Sequence, residues 1–255
     1  MKTFSFPNFN GKHLLTPVFA PHHLYAKAPA VSSKLVIIFS PYLETILRRM
    51  LKLTSVPKNE SIGLTASWTP KNLITPDRKM IIIRLEPGAP FSAAISDVAI
   101  HCGVNQILVL GDAGGIGKNL NLHDIVICTK AIRDEGTSHH YIAPSKYVSP
   151  SMRLTNAIAK ELSSEGVKTI KGPTWTTDAI FAETLSEIRS YSDEGVLTVD
   201  MEAAAVFAVA KKRGVSAAAV FNISDIVGRK WSGIAETRTA GYNRLSKAAK
   251  VFSRI

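Results

Sequence analysis

Four short segments carry side chains suited to chemistry, and each follows an apolar run. Val199-Asp200-Met201-Glu202-Ala203 puts two carboxylates where a strand-like run passes into an apolar helix, a costly place for acids without partners. An acid there either caps the helix or accepts two hydrogen bonds from a vicinal diol. Asn222-Ile223-Ser224-Asp225 ends in a general-acid candidate if its surroundings raise the pKa of Asp225, and otherwise in a turn or capping aspartate. Arg133-Asp134-Glu135-Gly136-Thr137-Ser138 joins a guanidinium fork, a glycine and two hydroxyls, the make-up of an oxyanion or phosphate clamp or of a charged surface turn. Gly111-Asp112-Ala113-Gly114-Gly115-Ile116-Gly117 reads as a tight connection needing positive φ, or as a turn whose amides, around Gly114, approach a ligand closely. It is neither nucleotide fingerprint: a third glycine is missing after Gly115-x-Gly117, and Asn119 follows Lys118 where a Walker loop needs Ser or Thr.

The elements that position these segments follow from the apolar pattern. Lys34–Phe39, Lys79–Leu85, Gln106–Leu110, Asp124–Cys128, Gly195–Val199 and Val215–Phe221 read as strands buried on both faces. Between them lie helical patterns over 41–51, 90–102, 151–164, 202–213 and 236–252. Ser40 and Pro41 suit the start of the first, and Gly166 and Gly214 stop the third and fourth. The expected fold class is α/β, a mostly parallel mixed central sheet flanked by helices, in one domain spanning 1–255 with 1–33 as an irregular N-terminal arm. Ligands of such sheets bind at the carboxyl ends of the strands, where all four segments fall.

Composition narrows the partners. The chain has 255 residues with 31 Lys+Arg against 20 Asp+Glu, hence 31 − 20 = +11. The basic residues come as scattered pairs and triplets, with no run of five and no aromatic string or Cys/His spacing, which argues against a nucleic-acid module. The longest apolar stretch, Ala203–Ala210, falls far short of the ~20 residues of a membrane span, so no membrane partner is expected. Cys102 and Cys128 are too far apart for a CxxC unit and read as buried thiols of a reducing compartment; no metal set is apparent. The segment Met1–Asn8 has no sustained apolar run before a small-residue cleavage site, and the expected location is cytoplasmic.

In their order, Gly88-Ala89-Pro90, the glycine-rich segment 111–117, Arg133-x-x-Gly136-Thr137-Ser138, Thr177-Asp178, Asp200-Met201-Glu202-Ala203 and Ser224-Asp225 resemble the nucleoside phosphorylase and nucleosidase superfamily, in its purine nucleoside and uridine phosphorylase branch. The resemblance implies cleavage of a nucleoside's N-glycosidic bond through a ribosyl-cation-like transition state. It gives Glu202 the ribose 2′ and 3′ hydroxyls and Met201 the sugar face. Arg133 and Thr137, with Ser138 beside them, hold the phosphate nucleophile, and Asp225 protonates the leaving base. Thr177–Phe181 walls the base pocket, with Phe181 its aromatic or else a core residue. His22 or His23 reaches a neighbouring subunit's ribose, or is a loop histidine. The products implied are free base and ribose 1-phosphate, with no cofactor beyond phosphate as co-substrate. The assembly implied is a homo-oligomer, dimer-based, a hexamer among its forms.

The departures bear on base and nucleophile. Ala182-Glu183-Thr184 stands where uridine-specific members carry a Gln-x-Arg reader, which together with Asp225 favours a purine. The phosphate loop expected after the first strand is replaced by Ser40-Pro41-Tyr42-Leu43-Glu44, and the arginine expected near 64–68 by Leu-Thr-Ala-Ser-Trp. Glu44 also resembles the glutamate that orients water in methylthioadenosine/adenosylhomocysteine nucleosidases; an acid of the first helical turn is its other reading. A hydrolase using Glu44 is therefore the first alternative to a phosphorylase. A nucleoside-binding protein without catalysis is the second.

Overall fold

The computed structural model describes residues 32–64, 69–227 and 238–255. The elements that matter for the site are β1 (Lys34–Ile38), α1 (Pro41–Met50), β2 (Thr54–Ser55), β3 (Asn72–Ile74), β4 (Met80–Arg84), α2 (Ala89–His101), β5 (Gln106–Gly115) and β6 (Ile125–Asp134). They continue with β7 (Tyr147–Val148), α3 (Met152–Ser164), β8 (Thr169–Thr177), α4 (Leu185–Asp193), β9 (Thr198–Asp200), α5 (Ala203–Arg213), β10 (Ser216–Ile226) and α6 (Arg238–Arg254).

The strands join in one mixed sheet running β10-β6-β8-β9-β5-β1-β4-β3-β2, and an additional β10–β5 pairing closes β5, β10, β6, β8 and β9 into a ring. Parallel pairings carry most of it: β5 pairs with β10 from Ser216↔Gln106 to Ile226↔Gly115, whereas the antiparallel pairings span two or three residue pairs each. Alternation along the central strands sorts the core. Leu35, Ile37, Ile107 and Val109 face α2 and α5; Val36, Ile38, Leu108 and Leu110 face α1, α3 and α6. Both faces are covered, which is why these strands read as unbroken apolar runs. Cys102 and Cys128 are free and buried.

The helix punctuation forms as the residue types dictate. The Ser40 hydroxyl accepts the Leu43 amide with Pro41 in the first turn, and Gly214 ends α5 in the left-handed conformation at φ 71°.

Three regions differ from the sequence reading. Residues 111–115 form no turn: β5 runs through them, between β10 and β9, and the positive-φ glycines lie elsewhere. Small residues are needed there for packing, because a Cβ on Gly114 would stand 2.5 Å from Val227 Cγ2 and 2.9 Å from Val199 Cγ1. Strand β8 went unread because Thr169–Thr177 is hydroxyl-rich rather than apolar. Helix α4 went unread too, so Gly195 looked like a strand start; it instead follows α4 at φ 84°. No helix among the described residues is long and apolar enough to cross a membrane.

Candidate active site

One cavity of about 730 Å³ opens at the carboxyl ends of the strands, walled by residues 39–43 after β1, by segments of β5, β9 and β10, and by Ile180, Phe181 and Glu183. Its wall includes Gly114, Phe181, Met201, Glu202 and Asp225, all named from the sequence.

Glu202 reaches the wall through a chain of local constraints. Asp200 ends β9 fully buried, and its Oδ2 accepts the amides of Glu202 and Ala203 at 2.9 and 2.7 Å. Its Oδ1 accepts the hydroxyls of Thr174 and Thr176, both at 2.9 Å. Asp200 thus caps α5 and ties it to β8, fixing where the next residues point. The Glu202 Oε1 then accepts the Gly88 amide at 2.7 Å. Gly88 holds φ 139°, ψ 143°, a region essentially reserved for glycine, so the residue type sets that donor's direction.

Burial followed by the Asp200 charge pushes the Glu202 carboxyl up to about 8. Burial raises Asp200 as well, but four donors point at Asp200, against the amides of Gly88 and Met201 at the Glu202 side chain. Hydrogen bonds to an ionised acid favour its charge, so Asp200 holds the charge of the pair and Glu202 the proton while the cavity is empty.

Asp225 lines the same cavity at a bulge in β10. Ile223 pairs with Ala113 and Asp225 with Gly114, leaving Ser224 as the extra residue. The bulge turns Asp225 inward, and the Ser224 hydroxyl donates to its Oδ1 at 2.8 Å. Phe181 is 99% exposed at the mouth, which excludes the core role.

The other named residues are elsewhere. Arg133 is buried outside the cavity wall: its Nε donates to the Ser138 hydroxyl at 2.9 Å and its Nη1 to the Ala143 carbonyl and Ser145 hydroxyl at 2.7 and 2.8 Å. The Glu135 carboxylate accepts the amides of Thr137 and Ser138 within the same loop. Glu44 does not line the cavity either, although its neighbour Leu43 does. Glu44 accepts the Nε of Arg48 and of Arg84, each at 2.9 Å, with Lys71 Nζ at 3.5 Å. Burial alone would raise its pKa, but those cations outweigh it and hold the carboxylate ionised. His22 and His23 lie outside the described residues.

Two cavity acids were missed. Asp112 follows Gly111 on β5 and accepts from Asn222 Nδ2 at 2.8 Å and from the Tyr242 hydroxyl. Glu183 belongs to residues 178–186, all exposed except itself. The signal for Asp112 was an acid inside a glycine-rich segment at a strand's carboxyl end.

The family model of the Phosphorylase superfamily matches residues 42–255. This chain belongs to the phosphorylase superfamily. Relatives include a guanosine phosphorylase from Halorubrum lacusprofundi, 26% identical over 136 residues, or 53% of this chain and 56% of that one. A DeoD-type purine nucleoside phosphorylase from Exiguobacterium sibiricum is 26% identical over 148 residues, covering 58% and 63%. The phosphorylase-superfamily chain thus spans less than two thirds of the length of these relatives. In fold it is similar to a Vibrio fischeri uridine phosphorylase (TM-score 0.74, 21% identity, 88% and 90% covered). It is equally similar to a Toxoplasma gondii purine nucleoside phosphorylase solved with immucillin-H (TM-score 0.75, 16% identity, 88% and 91% covered).

Proposed function

We propose that the protein cleaves the N-glycosidic bond of a purine nucleoside with inorganic phosphate, giving free base and ribose 1-phosphate. The observation that carries this reading is that Met201, Glu202 and Asp225 line one cavity together. A sugar between them has a carboxylate for its diol and ring charge, and the departing base has an acid within the same enclosure. The family model and the phosphorylase relatives support phosphate as the nucleophile. Uridine is the second base class, and a cytoplasmic homo-oligomer, dimer-based, is the assembly proposed.

A specific observation favours a second reading, hydrolysis. The described wall carries Asp112, Glu183, Asp200, Glu202 and Asp225 but no Lys or Arg, and Arg133 is committed to its own loop. Arg229 and Lys230 follow the wall residue Val227 in sequence, outside the described residues. Glu44 has no part in that second reading, since two guanidinium groups occupy its carboxylate.

Incubation with inosine, guanosine, uridine and methylthioadenosine, with and without phosphate, separates the two. We expect phosphate-dependent ribose 1-phosphate; equal base release in phosphate-free buffer makes the protein a hydrolase. Asp225→Asn should lower kcat/KM about 100-fold on purines and much less on uridine, the size of a lost general acid. Equal loss on both removes the purine argument.

A further inference from the structure

Asp112 is the one exposed residue of β5, although that strand pairs on both sides, with β1 and with β10. Its exposure is to the cavity, whose wall it shares with Tyr242 and residues 39–43. Two other elements hold its carboxyl. Asn222 Nδ2 on β10 donates to Oδ1 at 2.8 Å, and the Tyr242 hydroxyl on α6 donates to Oδ2. Asn222 is itself buried, and α6 approaches it so closely that a Cβ on Gly241 would stand 2.1 Å from Asn222 Oδ1. An acid fixed in this way presents an acceptor in a set direction to whatever fills the cavity. A carboxylate has about four acceptor positions, so one held by two donors can still take a third.

That acceptor bears on the nucleophile. Phosphate is an anion, yet the described wall is acidic and carries no Lys or Arg. A carboxylate repels an oxyanion unless the anion brings a proton to the contact, and then the hydrogen bond is of the strong, charge-assisted kind. Phosphate near neutrality keeps at least one P–O–H. Sulfate, of the same shape, keeps none.

We propose that Asp112 selects the nucleophile by accepting the P–O–H of hydrogen phosphate, so that the site takes protonated oxyanions and refuses fully ionised ones. The proposal rests on the reading of the cavity as a phosphorolytic nucleoside site. Asp112 precedes Gly114, the β5 partner of Asp225, by two residues, and so lies ~7 Å further from the carboxyl end of the strand. With the base at the level of Asp225, and Phe181 at the mouth, the deeper level beside residues 39–43 is left to the nucleophile. The contact is a hydrogen bond only: the proton stays on phosphate, and an ionised oxygen of the same anion attacks C1′. An analogue without the O–H leaves Asp112 unpaired and sets charge against charge, the arrangement that discriminates most strongly.

The test is the anion selectivity of inosine cleavage. Arsenate keeps an As–O–H and sulfate has no proton, while both resemble phosphate in shape. In wild type, arsenate should support base release within about tenfold of phosphate, and the sulfate Ki should exceed the phosphate KM by at least about 100-fold. Asp112→Asn removes the charge and offers an N–H to an ionised oxygen; Asp112→Ser leaves a smaller neutral group. In both, the ratio of sulfate Ki to phosphate KM should fall at least about tenfold. A ratio of two anions on one variant is insensitive to a general loss of activity from altered packing around Asn222 and Tyr242. Sulfate that competes in wild type within about threefold of phosphate, or a ratio unchanged in both variants, overturns the selection by Asp112 and leaves phosphorolysis standing. Base release from wild type that is equal with and without phosphate removes the phosphorolytic reading, and this proposal with it.

Discussion

Glu202→Ala should lower kcat/KM about 1,000-fold or more on every nucleoside the protein cleaves. The reason is charge development. In the proposed reaction the ribose ring becomes cationic as the glycosidic bond stretches, and Glu202, a buried carboxyl held by the Gly88 amide at 2.7 Å, lines the cavity proposed to hold that ring. Removing a single preorganised electrostatic group from a dry site costs ~10²–10³ in kcat, and the lost diol contacts weaken binding further. Glu202→Gln keeps an acceptor for Gly88 but cannot ionise, so it should be nearly as impaired while remaining folded. Near-normal turnover of either variant refutes the ribose role.

The same residue predicts a pH signature in the ligand-free protein. Glu202 has its carboxyl raised to about 8, against about 4.5 when exposed. The folded state therefore binds its proton more tightly than the unfolded state. Its contribution to stability is complete below about pH 4.5 and is lost as pH rises through about 8. Urea unfolding of wild type should show stability falling across that window, and Glu202→Gln should flatten the fall. A wild-type profile that is flat between pH 5 and 8 contradicts the protonated Glu202.

The parts of the site that were legible in the sequence are those where one residue type solves one local problem. Asp200 and Glu202 were visible because two acids at the junction of an apolar strand and an apolar helix demand partners, and the structure supplies them. The central strands were visible because helices bury both faces. Strand β8 was not, because its hydroxyls are satisfied by Asp200, about 25 residues downstream, and a local pattern cannot show a partner that distant. Arg133 shows the opposite limit. An arginine, a glycine and two hydroxyls compose an anion clamp on paper, yet the same donors also suit the carbonyls of their own loop, and folding joins them there. Glu183 needed the fold, since only the cavity shows that an acid in an exposed stretch turns inward.

Asp200→Ala should be the most destabilising single change in the site, on the order of 4 kcal/mol, as each buried donor left unpaired costs ~1–3 kcal/mol. Four donors lose their acceptor together: two amides at the start of α5 and the hydroxyls of Thr174 and Thr176 on β8. Loss of the Asp200 charge gives some of this back, because that charge is the second cause, after burial, of the raised Glu202 carboxyl. Asp200→Asn separates the contributions. It retains an acceptor oxygen and removes the charge, so it should lose less stability and move the titration of Glu202 to lower pH. Urea midpoints for both variants at pH 6 and pH 9 test this. A native-like midpoint for Asp200→Ala would mean that α5 is held by its packing against the sheet alone. The capping carboxylate would then owe its place to the electrostatics of Glu202 rather than to the fold.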